Sequence, residues 1–354
     1  ADRHIEVTVK KLSRLEETEV KKIINSTDSY VDDMVEGVVA AFPSQVRLLD
    51  GDRRAYVSMS AGTEGKVGVV TAGGSGHLPL FLGYVGSGML SGCAVGEVFA
   101  SPSAETIAEV IRACDGGVGV LCLYGNYDGD KFNFDMAQAD VGMDGIMTRD
   151  VIVRDDVASS GLGEAKRRGV AGLVYAYKIA GAAAAEGRSL DEVVAVVKRA
   201  RERTRSMGVA LTPCVVPKVG KPTFSIAPDD MELGMGIHGE AGVETTKVMK
   251  ADELAKTLVT RVTDELDLSS GGRVSVMVNG LGATPLEEQF ILYRTVSWLF
   301  EKQGVEIVLP HVGEFATSME MAGLSLTVFQ LDDELERLLR APASTPFYTT
   351  TNLG

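Results

Sequence analysis

The sequence is poor in the residues that usually mark zinc sites, disulfide bonds and membrane spans. Its 354 residues include four histidines, four cysteines and one tryptophan, without any HxxxH, HxH or CxxC spacing. A dedicated zinc site is therefore not expected, and the cysteines should be buried free thiols in a reducing compartment. The most apolar long stretch, Val170–Glu186, contains Lys178 and is too short to span a membrane. We expect it to be a core helix, and, since no signal peptide is recognisable, we expect the chain in the cytoplasm.

Basic residues are outnumbered by acidic ones, 35 to 49. The net charge is −14, and no basic stripe of the kind that nucleic-acid binding needs is visible. The run Lys198–Arg205 is expected to be the solvated end of a helix, with a nucleotide-phosphate clamp as the alternative. Residues 1–20 are polar and charged and are expected to form an extended arm or an expression remnant. We therefore expect no nucleic-acid partner, and an anionic cosubstrate would need local help or another protein to carry it.

Apolar runs alternate with glycine-rich loops and amphipathic helices along the chain. Lys66–Ala72 and Val118–Tyr124 are almost continuously apolar, which is typical of central strands covered on both faces. The strand–loop–helix alternation indicates an α/β fold. The prediction is two α/β domains with mixed or parallel sheets flanked by helices. They should span residues 1–198 and 199–340, and a C-terminal tail, 341–354, should be free to pack back on the first domain.

Capping residues and apolar periodicity predict where the helices lie. Ser189 with Glu192 forms a capping box, and Thr284 as cap with Pro285 behind it is a strong helix start. Trp298, the only tryptophan, is expected in the core. The predicted helices begin near Ser29, Ser103 and Lys131, span Val170–Glu186, Ser189–Ser206 and Ala251–Leu266, begin again at Thr284, and end with Asp332–Leu339.

A glycine-rich turn follows the first of the two buried strands. Its sequence is TAGGSGHLP, residues 71–79. It lacks the Gly-Lys-Ser/Thr of a Walker loop, and Pro79 stands where a dinucleotide fingerprint needs its third glycine. What remains is a backbone nest within Gly73–His77, at the carboxyl end of a strand, that can donate N–H groups to a small oxygenated ligand. A tight turn without a ligand is the alternative.

Two ionisable residues near the ends of these strands could handle protons. His77 directly follows the nest, so it is either a catalytic group or a satisfied structural histidine. Asp130 closes the GNYDGD loop after the second buried strand, and it could be a general base for a substrate hydroxyl or a simple helix cap. Asp128 competes for the role of base.

A third candidate is a histidine in the second half of the chain. The segment 231–240, MELGMGIHGE, alternates like a short strand over 231–239 and carries His238 between two glycines, with Glu240 beside it. A neutral imidazole nitrogen can add to a ketone or aldehyde and form a tetrahedral hemiaminal. Metal ligation is the alternative. The three candidates together supply the minimum parts for covalent capture of a carbonyl followed by group transfer.

The motifs together resemble the substrate-binding K subunit of the dihydroxyacetone kinase family. The resemblance runs from about residue 22 to the C-terminus, with the motifs in register. They read GGSGH-x-P, GYVGSGMLSG, SPSAETI, NY-x-GD-x-x-NF, RRGVAG, GKP, ME-x-G-x-GIHGE-x-G and N-x-LGATP. Their number and order make the resemblance highly specific.

The resemblance implies two α/β domains per chain and a homodimer. A small ketose is expected to be held covalently on the histidine that matches His238, while His77 and Asp130 act on the hydroxyl to be phosphorylated. The turn Gly74–Gly76 is expected to bind the sugar. We expect no cofactor in this chain: the phosphate should come from ATP, or from ADP rephosphorylated by a phosphotransferase-system protein, with Mg²⁺ on a separate L module.

One position departs from the family pattern. Members that use dihydroxyacetone usually carry a lysine immediately before the NY-x-GD motif, whereas this chain has Gly125. The exchange removes a cationic donor and is expected to leave a void beside the sugar. Either the substrate is a longer, four-carbon ketose such as erythrulose, or the affinity for dihydroxyacetone is reduced.

Two other functions remain open. Some members of the family bind the ketose covalently and act as coactivators of transcription, without catalysis. The presence of His77 and Asp130 favours a kinase, because a sensor needs the hemiaminal histidine but no base. After the kinase and the coactivator, the third candidate function is a sugar-binding module that forms no covalent bond to the sugar. The L module is expected on a separate subunit or on a further domain.

Overall fold

Two β-sheets, one from each half of the chain, form the framework of the fold. The structure is a computed structural model that describes residues 21–351, so the predicted arm at 1–20 lies outside the described residues. Strands between residues 46 and 153 form the first sheet, and strands between 204 and 331 form the second. Helices flank both sheets, which confirms the predicted α/β class with mixed sheets.

The first sheet has six strands in the order β1-β2-β4-β3-β5-β6. Strands β3 to β6 are parallel, whereas β1 and β2 are antiparallel to their neighbours. Because β3 and β5 are parallel neighbours, the glycine turn after β3 and the loop after β5 lie at the same edge of the sheet. The strands are β1 Val46–Leu49, β2 Asp52–Ser58, β3 Gly68–Ser75, β4 Gly92–Val98, β5 Val120–Gly125 and β6 Thr148–Val153.

The second sheet has seven strands in the order β11-β10-β13-β7-β8-β9, and β12 also pairs with β10. β11 and β12 are parallel to β10, and the other pairs are antiparallel. The strands are β7 Thr204–Thr212, β8 Asp230–Leu233, β9 Glu244–Lys247, β10 Arg273–Gly280, β11 Glu306–Ile307, β12 His311–Gly313 and β13 Ala322–Leu331. A small separate pair is formed by β14 Ala343–Ser344 and β15 Thr349–Thr350.

Helices α1 to α8 in residues 21–351 follow the predicted pattern closely. They are α1 Tyr30–Ala41, α2 Ala104–Cys114, α3 Asp128–Met143, α4 Leu173–Ala185, α5 Leu190–Glu202, α6 Ala251–Thr263, α7 Leu286–Lys302 and α8 Asp333–Arg340. Ser103 caps α2, and the predicted capping box of Ser189 with Glu192 is present at the start of α5. These caps satisfy N–H groups that have no partner inside the helix.

Helix α4 is the core helix that the sequence predicts. All its residues except the last are buried. It packs against α5, α8 and β3, and one continuous cluster of buried side chains includes Leu121 from the first sheet and Phe329 from the second. Lys178 is buried with it and donates from Nζ to the carbonyl of Leu338 in α8 (2.7 Å). The four cysteines are buried free thiols, as expected.

Four predicted boundaries are wrong. α6 ends at Thr263 rather than at Leu266, and each of the other three has a local reason. α5 ends at Glu202, earlier than predicted, because the chain turns directly into the buried strand β7. α3 begins at Asp128 rather than near Lys131, so Asp130 lies in its first turn. The strand predicted over 231–239 ends at Leu233, since the next residue is a glycine with φ of +80°, and turns lead from there to His238.

Two predictions for α7 are also wrong. The hydroxyl of Thr284 donates to the carbonyl of Gly323 (2.6 Å) and accepts from its N–H (2.8 Å), so it joins β13 and does not cap α7. Pro285 occupies the cap position instead. Trp298 is 58% exposed, with the Nζ of Lys302 at 4.8 Å from its ring. The apolar face that α7 buries passes through other positions of the helix.

The C-terminal tail packs against the first half of the chain. Ser344 forms an isolated antiparallel β-bridge with Ser87. The hydroxyl of Thr345 donates a hydrogen bond to the carbonyl of Gly83 (2.8 Å). The division between residues 198 and 199 stays a prediction, and that point lies within α5. Among the helices of residues 21–351, none combines the length and the apolar character that crossing a bilayer requires.

Candidate functional site

Close packing explains the glycines of the turn after β3. Gly74 and Ser75 end β3, and Gly76 follows with φ of +101°. A Cβ on Gly74 would lie 2.7 Å from the backbone N of Ala100, and one on Gly76 would lie 2.7 Å from the ring of Phe99. Both positions therefore need glycine. The hydroxyl of Ser75 donates to a carbonyl of β4 (2.8 Å), and its own carbonyl accepts from the N–H of Phe99 (3.0 Å).

His77 is buried directly behind this turn. Its Nδ1 lies 2.8 Å from the carbonyl oxygen of Thr317. A carbonyl only accepts hydrogen bonds, so Nδ1 carries the proton and Nε2 carries the lone pair. Nε2 is buried without a hydrogen-bond partner. Burial, and then the charge of His238, lower the pKa of His77 to about 3, so a neutral ring presents a free acceptor to the site.

His238 lies in the turn after β8 and is paired with Glu240. Its Nδ1 is 2.9 Å from Oε1 of Glu240, and its backbone N–H donates to Oε2 (2.9 Å). Burial alone would raise the pKa of Glu240, but the hydrogen bond and charge of His238 and the charge of Arg168 lower it to about 2. An ionised carboxylate accepts the proton of Nδ1, so in the neutral form of the ring the lone pair lies on Nε2, where it can add to a carbonyl.

Asp130 is a buried carboxyl in the first turn of α3. It is 5% exposed, and its Oδ1 has no hydrogen-bond partner. Burial raises its pKa to about 6, although a hydrogen bond from Ser101 and the charge of His238 lower it in part. The side chain of Asp128, in contrast, is 98% exposed and paired with a lysine. Tyr127 stands at the cap position of α3, so Asp130 is not a simple helix cap.

The fold brings the two candidate histidines into contact from opposite halves of the chain. The ring centroids of His77 and His238 are 4.8 Å apart, with the rings nearly perpendicular (81°). Phe99 stacks on His77 at 4.8 Å and meets His238 edge-on at 5.4 Å. Tyr127 contacts His238 edge-on at 4.9 Å. A small polar ligand in this place would touch imidazole nitrogen on one side and aromatic carbon on the other.

Sequence reasoning missed three residues that shape the site. Phe99 has φ of 56°, which is uncommon for a residue with a side chain, and nothing in the sequence signals it. Thr317 acts through its backbone carbonyl, which any residue type would supply. Tyr127 could have been found, because it is an aromatic residue inside the loop that carries Asp130.

The space beside Gly125 is not open. A Cβ on Gly125 would lie 3.1 Å from the ring of Tyr127 and 3.3 Å from the carbonyl of Gly169. The tyrosine ring thus crowds the Cβ position, and the void farther out, beside the sugar, stays a prediction. The role of Gly125 in binding a sugar stays a prediction.

Metal-binding donor sets are absent from the described residues. Within residues 21–351, no three His, Cys, Asp or Glu side chains come together in a way that could hold a metal ion. The fold and the candidate site thus define an α/β protein in which two histidines from opposite halves of the chain meet, with a buried carboxyl after the strand next to the one that precedes His77.

A family assignment follows from comparison with known proteins. The Dak1 domain matches residues 36–347. The chain belongs to the Dak1 domain family, the dihydroxyacetone kinase family that its motifs resemble.

Two relatives show the range of the family. The chain is 45% identical to the dihydroxyacetone-binding subunit DhaK of PTS-dependent dihydroxyacetone kinase 1 from Listeria innocua, over 89% of this chain and 95% of that protein. It is also 45% identical to the L-erythrulose kinase of Pectobacterium atrosepticum, over 92% of this chain but 56% of that protein. The family is thus one of phosphotransferases that act on alcohol groups, and this chain spans about half the length of its erythrulose kinase relative.

Two solved structures share the fold. A dihydroxyacetone kinase from C. freundii, in complex with AMP-PNP and Mg²⁺, superimposes with a TM-score of 0.86 at 30% identity, over 94% of this chain and 61% of that one. The dihydroxyacetone kinase operon co-activator Dha-DhaQ superimposes with a TM-score of 0.84 at 30% identity, over 90% and 98%. Kinases and a coactivator therefore have the same architecture.

Proposed function

We propose that this chain is the substrate-binding part of a ketose kinase and holds a small ketose, dihydroxyacetone or a four-carbon ketose such as erythrulose, covalently on His238. A nucleotide on a separate L module then phosphorylates a terminal hydroxyl of the sugar. The observation that carries the proposal is the pairing of His238 with ionised Glu240 directly beside a neutral His77 whose Nε2 is free.

The covalent step forms one bond and moves one proton. The lone pair of Nε2 of His238 adds to the carbonyl carbon of the ketose, and the π electrons of the C=O bond move onto its oxygen. Glu240 takes the proton from Nδ1, so the ring ends neutral. The new alkoxide gains a proton, and the net result transfers the Nδ1 proton to the hemiaminal hydroxyl.

The transfer step uses the groups on the first sheet. In the bound ketose the terminal hydroxyl donates its hydrogen bond to Nε2 of His77, which orients the oxygen. For the transfer the O–H bond turns to Asp130, which accepts the proton as the oxygen attacks the transferred phosphorus. The bond between that phosphorus and the nucleotide breaks at the same time. On the L module, the nucleotide would supply the phosphoryl group and Mg²⁺ would neutralise its charge, so this chain contributes mainly positioning. The turn Gly74–Gly76 donates N–H groups to sugar oxygens.

A ketose-binding coactivator is the second candidate, because Dha-DhaQ has the same fold. A sensor requires the hemiaminal histidine but no base for the terminal hydroxyl. Asp130 is buried, has an unpartnered oxygen and has a pKa raised to about 6. Burial of a carboxyl costs stability unless hydrogen bonds or an opposite charge compensate it. An oxygen left open at this cost is accounted for by a role at a substrate hydroxyl, which favours the kinase.

Reconstitution tests the proposal. The chain is incubated with a purified L protein, ATP and a panel of three- and four-carbon ketoses, and sugar phosphates are measured by mass spectrometry. We expect product from at least one ketose and none from glycerol, which has no carbonyl. If no ketose is phosphorylated while the same L protein is active with the subunit of a known kinase, the coactivator is the better interpretation.

We also propose a homodimer in the cytoplasm. Light scattering should then give about twice the 37.5 kDa mass of the chain, and a monomer mass at micromolar concentration would contradict the dimer.

A further inference from the structure

A buried asparagine of the second sheet holds the loop that contacts His77. Asn279 lies near the end of β10 and has no exposed surface. Its Oδ1 accepts from the backbone N–H groups of Phe315 (2.8 Å) and Ala316 (2.9 Å), and its Nδ2 donates to the carbonyl of Ala316 (2.8 Å). The other N–H donates to the hydroxyl of Ser325 (3.0 Å). All four hydrogen-bonding positions of the amide are used.

The loop that Asn279 holds leads directly to the candidate active site. Thr317 directly follows Phe315 and Ala316, the two loop residues that Asn279 binds. Its carbonyl accepts a hydrogen bond from Nδ1 of His77 (2.8 Å). Its N–H donates to the carbonyl of His77 (3.2 Å), and its hydroxyl donates to the carbonyl of Leu78 (2.8 Å). Since β10 belongs to the second sheet and His77 follows β3 of the first, this chain of hydrogen bonds links the two sheets.

We propose that Asn279 is a positioning residue for His77. It fixes the loop so that the carbonyl of Thr317 holds the Nδ1 proton of His77 and keeps Nε2 as the free acceptor in the site. Without these bonds the loop can move, and the imidazole can adopt the other tautomer, which presents an N–H group where a substrate hydroxyl needs an acceptor. The tautomer can be observed without any ligand, whereas its effect on phosphoryl transfer rests on the proposed function.

Three variants isolate the interaction. Asn279→Ala removes all four hydrogen bonds, and Asn279→Asp keeps the two acceptor contacts but loses both donors. Ser325→Ala is the matched control, because it removes a buried partner of the same asparagine without touching the loop. Thermal unfolding establishes that each variant is folded, and Asn279→Asp, the smaller change, keeps the test valid if Asn279→Ala does not fold.

The first readout is the ¹⁵N NMR spectrum of the histidine rings, which is tractable because the chain has four histidines. In the wild type and in Ser325→Ala we expect well-separated His77 signals, with the proton on Nδ1. In the Asn279 variants we expect the two signals to move towards each other as the tautomers mix. Unchanged His77 signals in a folded Asn279 variant would overturn the proposal.

The second readout is kinetic, with the L protein and the preferred ketose. We expect kcat to fall by about 10²-fold in Asn279→Ala, as for other small displacements of catalytic groups, while KM for the ketose changes little. A fall in kcat without a change of tautomer would mean that Asn279 acts elsewhere, and the positioning role would be rejected. A changed tautomer in a chain that has no kinase activity would reject only the proposed function.

Discussion

Asp130 and His77 are the two groups that would interact with the substrate hydroxyl. Burial shifts their pKa values in opposite directions. The pKa of Asp130 is raised to about 6 and that of His77 is lowered to about 3, because burial disfavours the charged form of either group. Near neutral pH, Asp130 is therefore mostly ionised and His77 is neutral. Each has an unpartnered buried acceptor atom, which a substrate hydroxyl can satisfy.

Removal of the Asp130 charge should separate binding from transfer. Asp130→Asn keeps the size of the side chain but cannot accept the proton, so we expect phosphoryl transfer to fall by about 10²–10⁴-fold. Ketose binding should persist, since His238 is intact. Asp128→Asn, an exposed carboxyl in the same helical turn, is the control and should behave like the wild type. Near wild-type turnover in Asp130→Asn, measured with an L protein, would leave Asp130 without a catalytic role.

The pH dependence of the rate should report the same carboxyl. A base works only when ionised, so kcat/KM should fall about tenfold per pH unit below a midpoint near pH 6 and level off above it. Ser101 donates a hydrogen bond that lowers the pKa of Asp130. Ser101→Ala should therefore move the midpoint to higher pH. The test compares the pH–rate profiles of the wild type and Ser101→Ala. If the midpoint does not move, the fall in rate at low pH belongs to a group other than Asp130.

Side-chain chemistry was predictable from sequence where a motif carries it. His238, His77 and Asp130 could be selected because glycines and strand ends surround them. The carbonyl of Thr317 could not, because it lies 240 positions from His77 in sequence and acts through the backbone. The same holds for Phe99, whose ring position depends on an unusual backbone conformation.

The end of β5 and the loop that leads from it to α3 should determine which length of ketose the site prefers. A lysine at position 125 would bring a cationic donor towards the sugar, and its Cβ would push against the ring of Tyr127 at 3.1 Å. We expect the wild type to prefer a four-carbon ketose and Gly125→Lys to favour dihydroxyacetone. The ratio of the two kcat/KM values should change by about tenfold or more.

Gly125→Ala separates the two effects of that substitution. Alanine adds the crowding against Tyr127 without the charge, so it should lower both kcat/KM values without reversing their order. Both ketoses are measured with all three proteins. If the wild type prefers dihydroxyacetone and Gly125→Lys merely improves it, the loop does not select for sugar length.

Helix and strand boundaries were predictable where local signals agree with packing. The capping box at Ser189 and the apolar run of α4 both gave the observed elements. Thr284 has an equally good local signal, but its hydroxyl is used by Gly323 of the neighbouring strand. At 231–239 the alternating pattern favoured a strand, and the left-handed glycine at 234 ends it. Tertiary contacts decided both cases.

For the chain as a whole, the important feature is that neither sheet alone contains the site. The glycine turn, His77 and Asp130 come from the first sheet, whereas His238 and the loop that holds His77 come from the second. The α/β class and the family could be predicted from sequence. The resemblance implied that the two histidines serve one sugar, but their direct ring contact could not be predicted, because the packing of one sheet against the other leaves no pattern in either segment.

Covalent attachment of the sugar to His238 is the central claim, and a crystal soaked with ketose tests it most directly. We expect continuous electron density from Nε2 of His238 to the former carbonyl carbon of dihydroxyacetone or erythrulose, with tetrahedral geometry at that carbon. A parallel soak with glycerol should show no such bond. A ketose that occupies the site with a clear van der Waals gap to Nε2 would contradict the account.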